Sequence, residues 1–258
     1  MSEDKIQSAK EKIACVRFLP YFVKEYGSLE SLAEKLNSLS DEENFSIADI
    51  SRYINRKALP TERRKDIILQ FINSNLSPSM LIAERVRGVR FHETYFIDTR
   101  ELLSDTATLE NIAFLVTKTI LNPSEYDLIL TVEVDGIPFA MSLASSMEIP
   151  MIYARRKPPL SLGEYISRDV PKIEQRRIDT YYLQKHEINK GARILIVDDI
   201  IRTARTQQAL IEMVSECGGI TGAVLALIGI EDEETLKKRL EASGTRDQPV
   251  NVYLLHRF

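Results

Sequence analysis

Residues 194–206, ILIVDDIIRTART, bring two carboxylates, two guanidinium groups and two hydroxyls close together in the chain. Asp198 and Asp199 directly follow an apolar run. Arg202, Thr203, Ala204, Arg205 and Thr206 then lead into a stretch with helical spacing. A strand that turns into a helix exposes backbone N–H groups at the positive end of the helix dipole, a setting that binds phosphate. Thr203 and Thr206 add hydroxyl donors. Adjacent acids would repel a bare phosphate, but carboxylates accept strong hydrogen bonds from vicinal sugar hydroxyls. A divalent cation at Asp198 and Asp199, held through a ligand or water, is the other partner that such a pair suits. The combination suggests a ribose 5-phosphate. Two acids serving only as helix caps would leave the loop that follows them unexplained.

Two other loops carry compatible chemistry. In VEVDGIPFA (132–140), Glu133, Val134, Asp135 and Gly136 close an apolar strand with a turn whose backbone N–H groups could hold an anion. Taken alone, a strand followed by Asp-Gly is equally an ordinary turn. In ARRKPP (154–159), Arg155, Arg156 and Lys157 follow a strand directly. Three cations there either face an anionic ligand or form a solvated run.

These loops need a scaffold, and from about residue 76 the pattern alternates between strand and helix. TYFIDTR, YDLILTVEV, PMIYAR, ARILIVDD, ITGAVLALIGI and VNVYLLHRF read as strands. TLENIAFLVTKTIL, capped by Thr108, PFAMSLASSM, ARTQQALIEMVSECGG, closed by Gly218 and Gly219, and EETLKKRLEASG read as helices. Continuously apolar strands separated by helices give an α/β fold with a doubly wound parallel sheet. Ligands in such folds bind outside the carboxyl ends of the strands, where loops 133–138, 155–160 and 198–206 fall.

ILIVDDIIRTART resembles the thirteen-residue phosphoribosyl pyrophosphate (PRPP) signature of the type I phosphoribosyltransferases. Ala204 departs from it, because most members carry glycine there, which tolerates positive φ and close backbone approach. The resemblance extends over about residues 80–258. It implies that residues 133–136 form a pyrophosphate loop and that Arg155, Arg156 and Lys157 face pyrophosphate. Residues 158–180, with Pro158, Pro159, Gly163, Arg168, Arg176 and Arg177, are similar to the mobile lid of such enzymes. Segments 80–100 and 240–258 correspond to the hood over the base, and they hold no diagnostic residue. The implied reaction displaces pyrophosphate from C1 of PRPP by a nitrogenous base through an oxocarbenium-like transition state, aided by Mg²⁺ and basic groups. It needs no side-chain nucleophile.

Residues 1–75 are extra to such a domain and read as all helical. Ile13, Val16, Leu19, Phe22 and Val23 have helical spacing within 5–26, where Pro20 argues for a kink or break. Ser28 is the expected cap of 27–37, with Leu29, Leu32, Ala33 and Leu36 as its apolar stripe. Ser46 is the expected cap of 45–60, which points Ile47, Ile50 and Ile54 inward and ends at Pro60. Thr61 caps 61–72. The block is neutral overall, but residues 50–66 hold six basic groups against two acidic ones. SLESLAEKLN, a turn and SIADISRYINR resemble a helix-turn-helix of the phage-repressor type. That resemblance implies Ser46, Asp49, Ser51, Arg52, Asn55 and Arg56 in the major groove, with Lys57 beside them and Arg63, Arg64 and Lys65 on phosphates. The acidic 38–45 connection is longer than the usual turn and could splay the helix pair. A helical packing domain with a charged face is the alternative.

The bulk composition sets outer bounds. The chain has 258 residues, 44% hydrophobic and 28% charged, with net charge −4, so any nucleic-acid surface must be local. Two distant cysteines and three histidines fit neither a zinc site nor a disulfide framework. Free thiols and a charged N-terminus without an apolar core give the expectation of a cytoplasmic protein, and no apolar run approaches the ~18 residues of a membrane helix. The whole architecture resembles the purine operon repressors of Gram-positive bacteria and archaeal phosphoribosyltransferase-like regulators. It implies a regulator that senses PRPP or a nucleotide and binds a palindromic DNA operator as a homodimer. An active purine or orotate phosphoribosyltransferase, and an interaction protein with a vestigial pocket, remain the alternatives.

Overall fold

The computed structural model describes residues 3–91, 94–158, 163–172, 176–241 and 250–258. Its contacts divide the chain into two compact units, Met1–Ser77 and Pro78–Phe258.

The first unit is helical: α1 (Glu3–Tyr26), α2 (Leu29–Asn37), α3 (Ile47–Ile54) and α4 (Glu62–Asn75). Phe18, Leu19, Phe22, Leu32, Leu36, Ile50, Ile68 and Ile72 form its buried interior. The helix α1 runs through Pro20 unbroken, where a kink or break was expected. Pro20 is exposed while Leu19 and Phe22 are fully buried, so packing outweighs the proline penalty of about 3 kcal/mol. Ser28 and Thr61 cap α2 and α4, and Ser46 forms a reciprocal capping box with Asp49 at the start of α3.

Two expectations for α3 are corrected. Ile47 is exposed and Ile54 half-buried, so of the three isoleucines only Ile50 reaches the core. The helix also stops at Asn55, well before Pro60. Arg56 takes φ +55°, and the N–H groups of Arg56 and Lys57 return to the carbonyls of Tyr53 and Arg52. This doubly bonded reversal ends the helix. The long 38–45 connection does not hang loose. Asn37 donates to the Phe45 carbonyl (3.2 Å) and accepts from the Phe45 N–H (2.6 Å), and Phe45 is buried. Cys15 lies in this interior, and burial pushes its thiol up to about 12.

The second unit opens with α5 (Pro78–Ala83), an antiparallel pair β1 (Arg87–Phe91) and β2 (Thr94–Asp98), α6 (Arg100–Ser104) and α7 (Thr106–Thr119). Asp105 caps α7 by accepting from the Thr108 N–H, so the capping residue is not Thr108 as expected. Then follow β3 (Leu128–Val132), α8 (Ile137–Met147), β4 (Met151–Ala154), β5 (Tyr165–Lys172) and β6 (Arg177–Gln184). The unit ends with β7 (Arg193–Ile201), α9 (Arg205–Glu216), β8 (Ile220–Gly229), α10 (Glu233–Glu241) and β9 (Asn251–Arg257).

Strands β4-β3-β7-β8-β9 form one parallel sheet with flanking helices. The strands are apolar because both faces are covered: every residue of β3 is buried. The order reverses at β3 and β7, where doubly wound sheets open a crevice at their carboxyl edge. Much of the segment expected as a lid is an antiparallel ribbon, β5–β6. Alternate residues Ile166, Val170, Tyr181 and Leu183 are buried beneath it. Pro159 of that lid, residues 160–162 and 173–175, and residues 92–93 and 242–249 of the expected hood lie outside the described residues. Among the described residues no helix is long and apolar enough to cross a membrane.

Candidate functional site

A cavity of about 720 Å³ opens at the carboxyl ends of β3 and β7. Its wall contains residues 132–136, Arg156, Lys172, Arg177, Asp179, Tyr181, Asp198, Asp199 and residues 202–207. A second cavity of about 880 Å³, with Arg87, Val89, Asp98 and Arg100 in its wall, shares Phe96, Val134, Asp135 and Arg202 with the first.

The aspartates do not end the strand as the sequence suggested; β7 continues past them to Ile201. Pairing with β8 fixes Asp198 opposite Ala226, where it is buried. Its Oδ2 accepts from the Gln207 amide at 2.6 Å, and its Oδ1 accepts from the Asp199 N–H at 3.0 Å. Burial first, then the Asp199 charge, pushes Asp198 well above the ordinary carboxylate range. Asp199 is also raised by burial, and the Asp135 charge adds to the effect. Among the described residues no three carboxylate, histidine or cysteine groups converge as a metal cluster. Asp135, Asp198 and Asp199 all line the cavity, and Asp135 is the exposed one of the three.

Ala204 precedes α9 with φ +59° and is buried. This is the left-handed region in which glycine is at home, so the departure noted in the sequence falls on the position with the strongest glycine preference. Thr203 is half-exposed and Thr206 buried in the first turn of α9. Arg205 Nη1 donates to the Pro171 carbonyl at 3.3 Å, and Lys172 Nζ donates to Thr206 Oγ1 at 2.9 Å. The ribbon β5–β6 is thus joined to the loop at two points.

In the 133–136 loop, the Glu133–Val134 peptide is cis. Glu133 Oε1 accepts the Arg156 N–H at 2.7 Å, so this loop positions the next one. A Cβ on Gly136 would collide with the Thr131 hydroxyl and crowd Asp198 Oδ1. Of the three cations expected against pyrophosphate, only Arg156 lines the cavity. Arg155 pairs through its backbone with Tyr182 and lays its guanidinium over the Tyr153 ring, two positions back on the same strand face. Lys157 is exposed and outside the cavity wall.

The sequence reading missed Lys172, Asp179, Tyr181 and Gln207. Asp179 is buried and ion-paired with Arg177 at 2.9 Å and Arg156 at 3.8 Å. One signal was present: Asp179, Tyr181 and Leu183 alternate along RIDTYYLQ, which puts an acid on the inward face of a half-buried strand.

In the helical unit, Arg52, Asn55, Arg56 and Lys57 are exposed and Ser51 is half-exposed, all on or just beyond α3. Among the described residues, Arg52, Arg56 and Lys57 make no side-chain hydrogen bond or ion pair. Ser46 and Asp49 are engaged in the capping box. Arg63 is exposed beside Glu42 at 3.5 Å. Arg64 and Lys65 are engaged by their own neighbours. Arg64 binds Glu43 at 2.9 Å, the Tyr53 hydroxyl at 3.0 Å and the Asn44 carbonyl at 2.8 Å. Lys65 is buried among Glu11, Glu62 and Asp66 at 3.1–3.3 Å.

Residues 98–241, which hold the 133–136 loop, Arg156 and the Asp198–Thr206 segment, match the model of the phosphoribosyl transferase domain. The chain belongs to the phosphoribosyltransferase family. A probable purine biosynthesis transcriptional regulator PurR from Streptococcus pneumoniae is 27% identical over 144 residues, 55% of this chain and 52% of that protein. A xanthine phosphoribosyltransferase from Chloroflexus aurantiacus is 31% identical over 116 residues, 45% of this chain and 55% of that protein. This chain thus spans about half the length of the curated relatives it matches. The crystal structure of adenine phosphoribosyltransferase from Thermoanaerobacter pseudethanolicus is similar in fold, with TM-score 0.56 and 22% identity, covering 69% of this chain and 98% of that one.

Proposed function

We propose that this phosphoribosyltransferase-family protein is a DNA-binding transcriptional regulator that senses PRPP or a nucleotide. Its likeness to purine biosynthesis regulators supports this reading. The observation that carries it lies in the helical unit. Arg52, Arg56 and Lys57 stand exposed and unengaged around the end of a capped helix, while Arg64 and Lys65 beside them are consumed in packing. In this reading α3 enters the major groove, with Ser51, Arg52 and Asn55 toward base edges and Arg56, Lys57 and Arg63 toward phosphates. A homodimer would place two such helices on a palindromic operator.

In the second unit, the start of α9 with Arg202, Thr203, Ala204, Arg205 and Thr206 takes the 5′-phosphate, and Asp198 and Asp199 take the ribose hydroxyls. Residues 133–136 and Arg156 take pyrophosphate. Magnesium, held by Asp199 and Asp135 together with the ligand, would neutralise pyrophosphate charge. The ligand alters DNA affinity only to the extent that it binds the DNA-competent and DNA-incompetent states differently.

An active phosphoribosyltransferase is the second reading. The second cavity favours it, because it shares Phe96 and Val134 with the first and leaves room for a base. One experiment separates the two. Calorimetric titration with PRPP and Mg²⁺ is followed by addition of adenine, guanine, hypoxanthine, xanthine, orotate or uracil, with pyrophosphate release monitored. PRPP binding without turnover, together with PRPP-dependent DNA binding, supports the regulator. Turnover on one base, with DNA affinity indifferent to PRPP, overturns it.

A further inference from the structure

The loop that begins α9 offers backbone N–H groups, the Thr203 and Thr206 hydroxyls and two guanidinium groups, Arg202 and Arg205, the second of which donates to the Pro171 carbonyl. A further cation reaches this loop from another element. Lys172 is the last residue of β5, paired in register with Arg177 of β6, and its Nζ donates to Thr206 Oγ1 at 2.9 Å. The ammonium lies in the wall of the same cavity as Asp198, Asp199 and the loop. Charged groups reach it from every side: Asp179 on β6 and Asp198 on β7 attract it, and Arg156 and Arg177 repel it. Other contacts hold β5 over α9. Arg168 Nε binds Glu212 at 2.9 Å, and its Nη2 binds Glu216 at 2.7 Å.

We infer that Lys172 is a binding residue for the ligand's terminal phosphate monoester, acting with Thr206 to select 5′-phosphorylated ribosyl ligands over unphosphorylated ones. A hydroxyl has one proton and two lone pairs. Thr206 can therefore accept from Lys172 while donating to a phosphate oxygen, and the ammonium is within one group of the same anion. A cation with part of its hydration removed gains more from a dianion than an exposed one does. Burial lowers the Lys172 pKa, and a bound phosphate would oppose that shift.

The inference rests on the assignment of this loop to the 5′-phosphate, so the test uses ligands that carry only one part of PRPP. Affinities of the full-length protein for ribose 5-phosphate, inorganic pyrophosphate with Mg²⁺ and PRPP would be measured by calorimetry for wild type, Lys172→Gln and Lys172→Arg. Loss of one charge-assisted bond predicts about tenfold to a hundredfold weaker ribose 5-phosphate and PRPP binding in Lys172→Gln, with unchanged pyrophosphate affinity. Lys172→Arg should recover most of the loss. Equal ribose 5-phosphate affinity in wild type and Lys172→Gln would overturn the inference. An equal loss for pyrophosphate would overturn it too, because it would assign Lys172 to the other subsite. Failure of the wild type to bind ribose 5-phosphate or PRPP at all would remove the loop assignment itself. Should the variants not fold, ¹⁵N-lysine spectra of the wild type decide the point. One ammonium resonance must shift on adding ribose 5-phosphate and stay put with pyrophosphate, and no shift would overturn the inference.

Discussion

The cavity at the carboxyl ends of β3 and β7 and the outer side of α3 both present cations, but in opposite manners. In the cavity, Arg156 and Lys172 are set among Asp135, Asp179, Asp198 and Asp199. On the helix, Arg52, Arg56 and Lys57 project into water with no carboxylate engaged. Alternating charges inside a recess recognise the outline of one small molecule, because every misplaced group faces a like charge at short range. Exposed charges of one sign attract a polyanion from a distance and are weakened by salt. Left-handed backbone repeats the contrast. Ala204 adopts it in the interior with nothing beyond a methyl group, whereas Arg56 adopts it at a helix end and leaves its charge outside.

The largest expected effect is on the cavity. Replacing Asp198 and Asp199 together by asparagine should weaken PRPP binding by at least about a hundredfold, through loss of charge-assisted bonds to the ribose hydroxyls, and leave DNA affinity without PRPP unchanged. Asp198→Asn alone has a second signature. A carboxylate raised in the folded state keeps its proton after the unfolded state has lost it, so stability falls as pH rises through and above the ordinary carboxylate range. The asparagine variant escapes that fall. Its melting temperature should exceed that of the wild type near neutral pH, with the gap closing toward pH 4; a constant gap would contradict the burial argument.

Arg52→Ala with Arg56→Ala should come next, reducing DNA affinity by about tenfold or more and lowering the salt slope by about one, through the phosphate contact of Arg56, with PRPP affinity unchanged. A DNA isotherm identical to wild type would take α3 out of the groove. Arg64→Met should act otherwise, lowering the stability of the helical unit by about 1–3 kcal/mol in a denaturant titration, because its bonds to Glu43, Tyr53 and Asn44 are lost. DNA binding by the folded fraction should be spared. The smallest effect belongs to Ala204→Gly. It relieves left-handed strain but loosens the unfolded chain, so stability should change by less than about 1 kcal/mol while PRPP binds about twofold to fivefold more tightly.

Different physics made the two regions unequally legible. Strands β3, β7 and β8 were readable because a strand covered on both faces must be apolar throughout. The Asp198–Thr206 segment stood out because its polar groups are contiguous in sequence. The ribbon β5–β6 was not, since half-exposed strands rich in charge look like polar loop. Lys172 acquires meaning only when β5 is placed over α9, thirty-four positions away in the chain from Thr206. In the helical unit, Ser28, Ser46 and Thr61 marked helix starts through local bonding. The fates of Arg63, Arg64 and Lys65, neighbours in sequence, diverge because successive positions on a helix face different directions. A charge count over 50–66 cannot separate an exposed arginine from one that holds a loop in place.

The two thiols have a practical consequence. Cys15 is sealed in the helical interior with its pKa pushed up to about 12, whereas Cys217 is only half-buried at the end of α9. A thiol-directed fluorophore added near neutral pH should therefore attach at Cys217 well before Cys15. The helix whose first turn lines the cavity thus offers a labelling address on the native chain, and ligand titrations could be followed optically without engineering either cysteine.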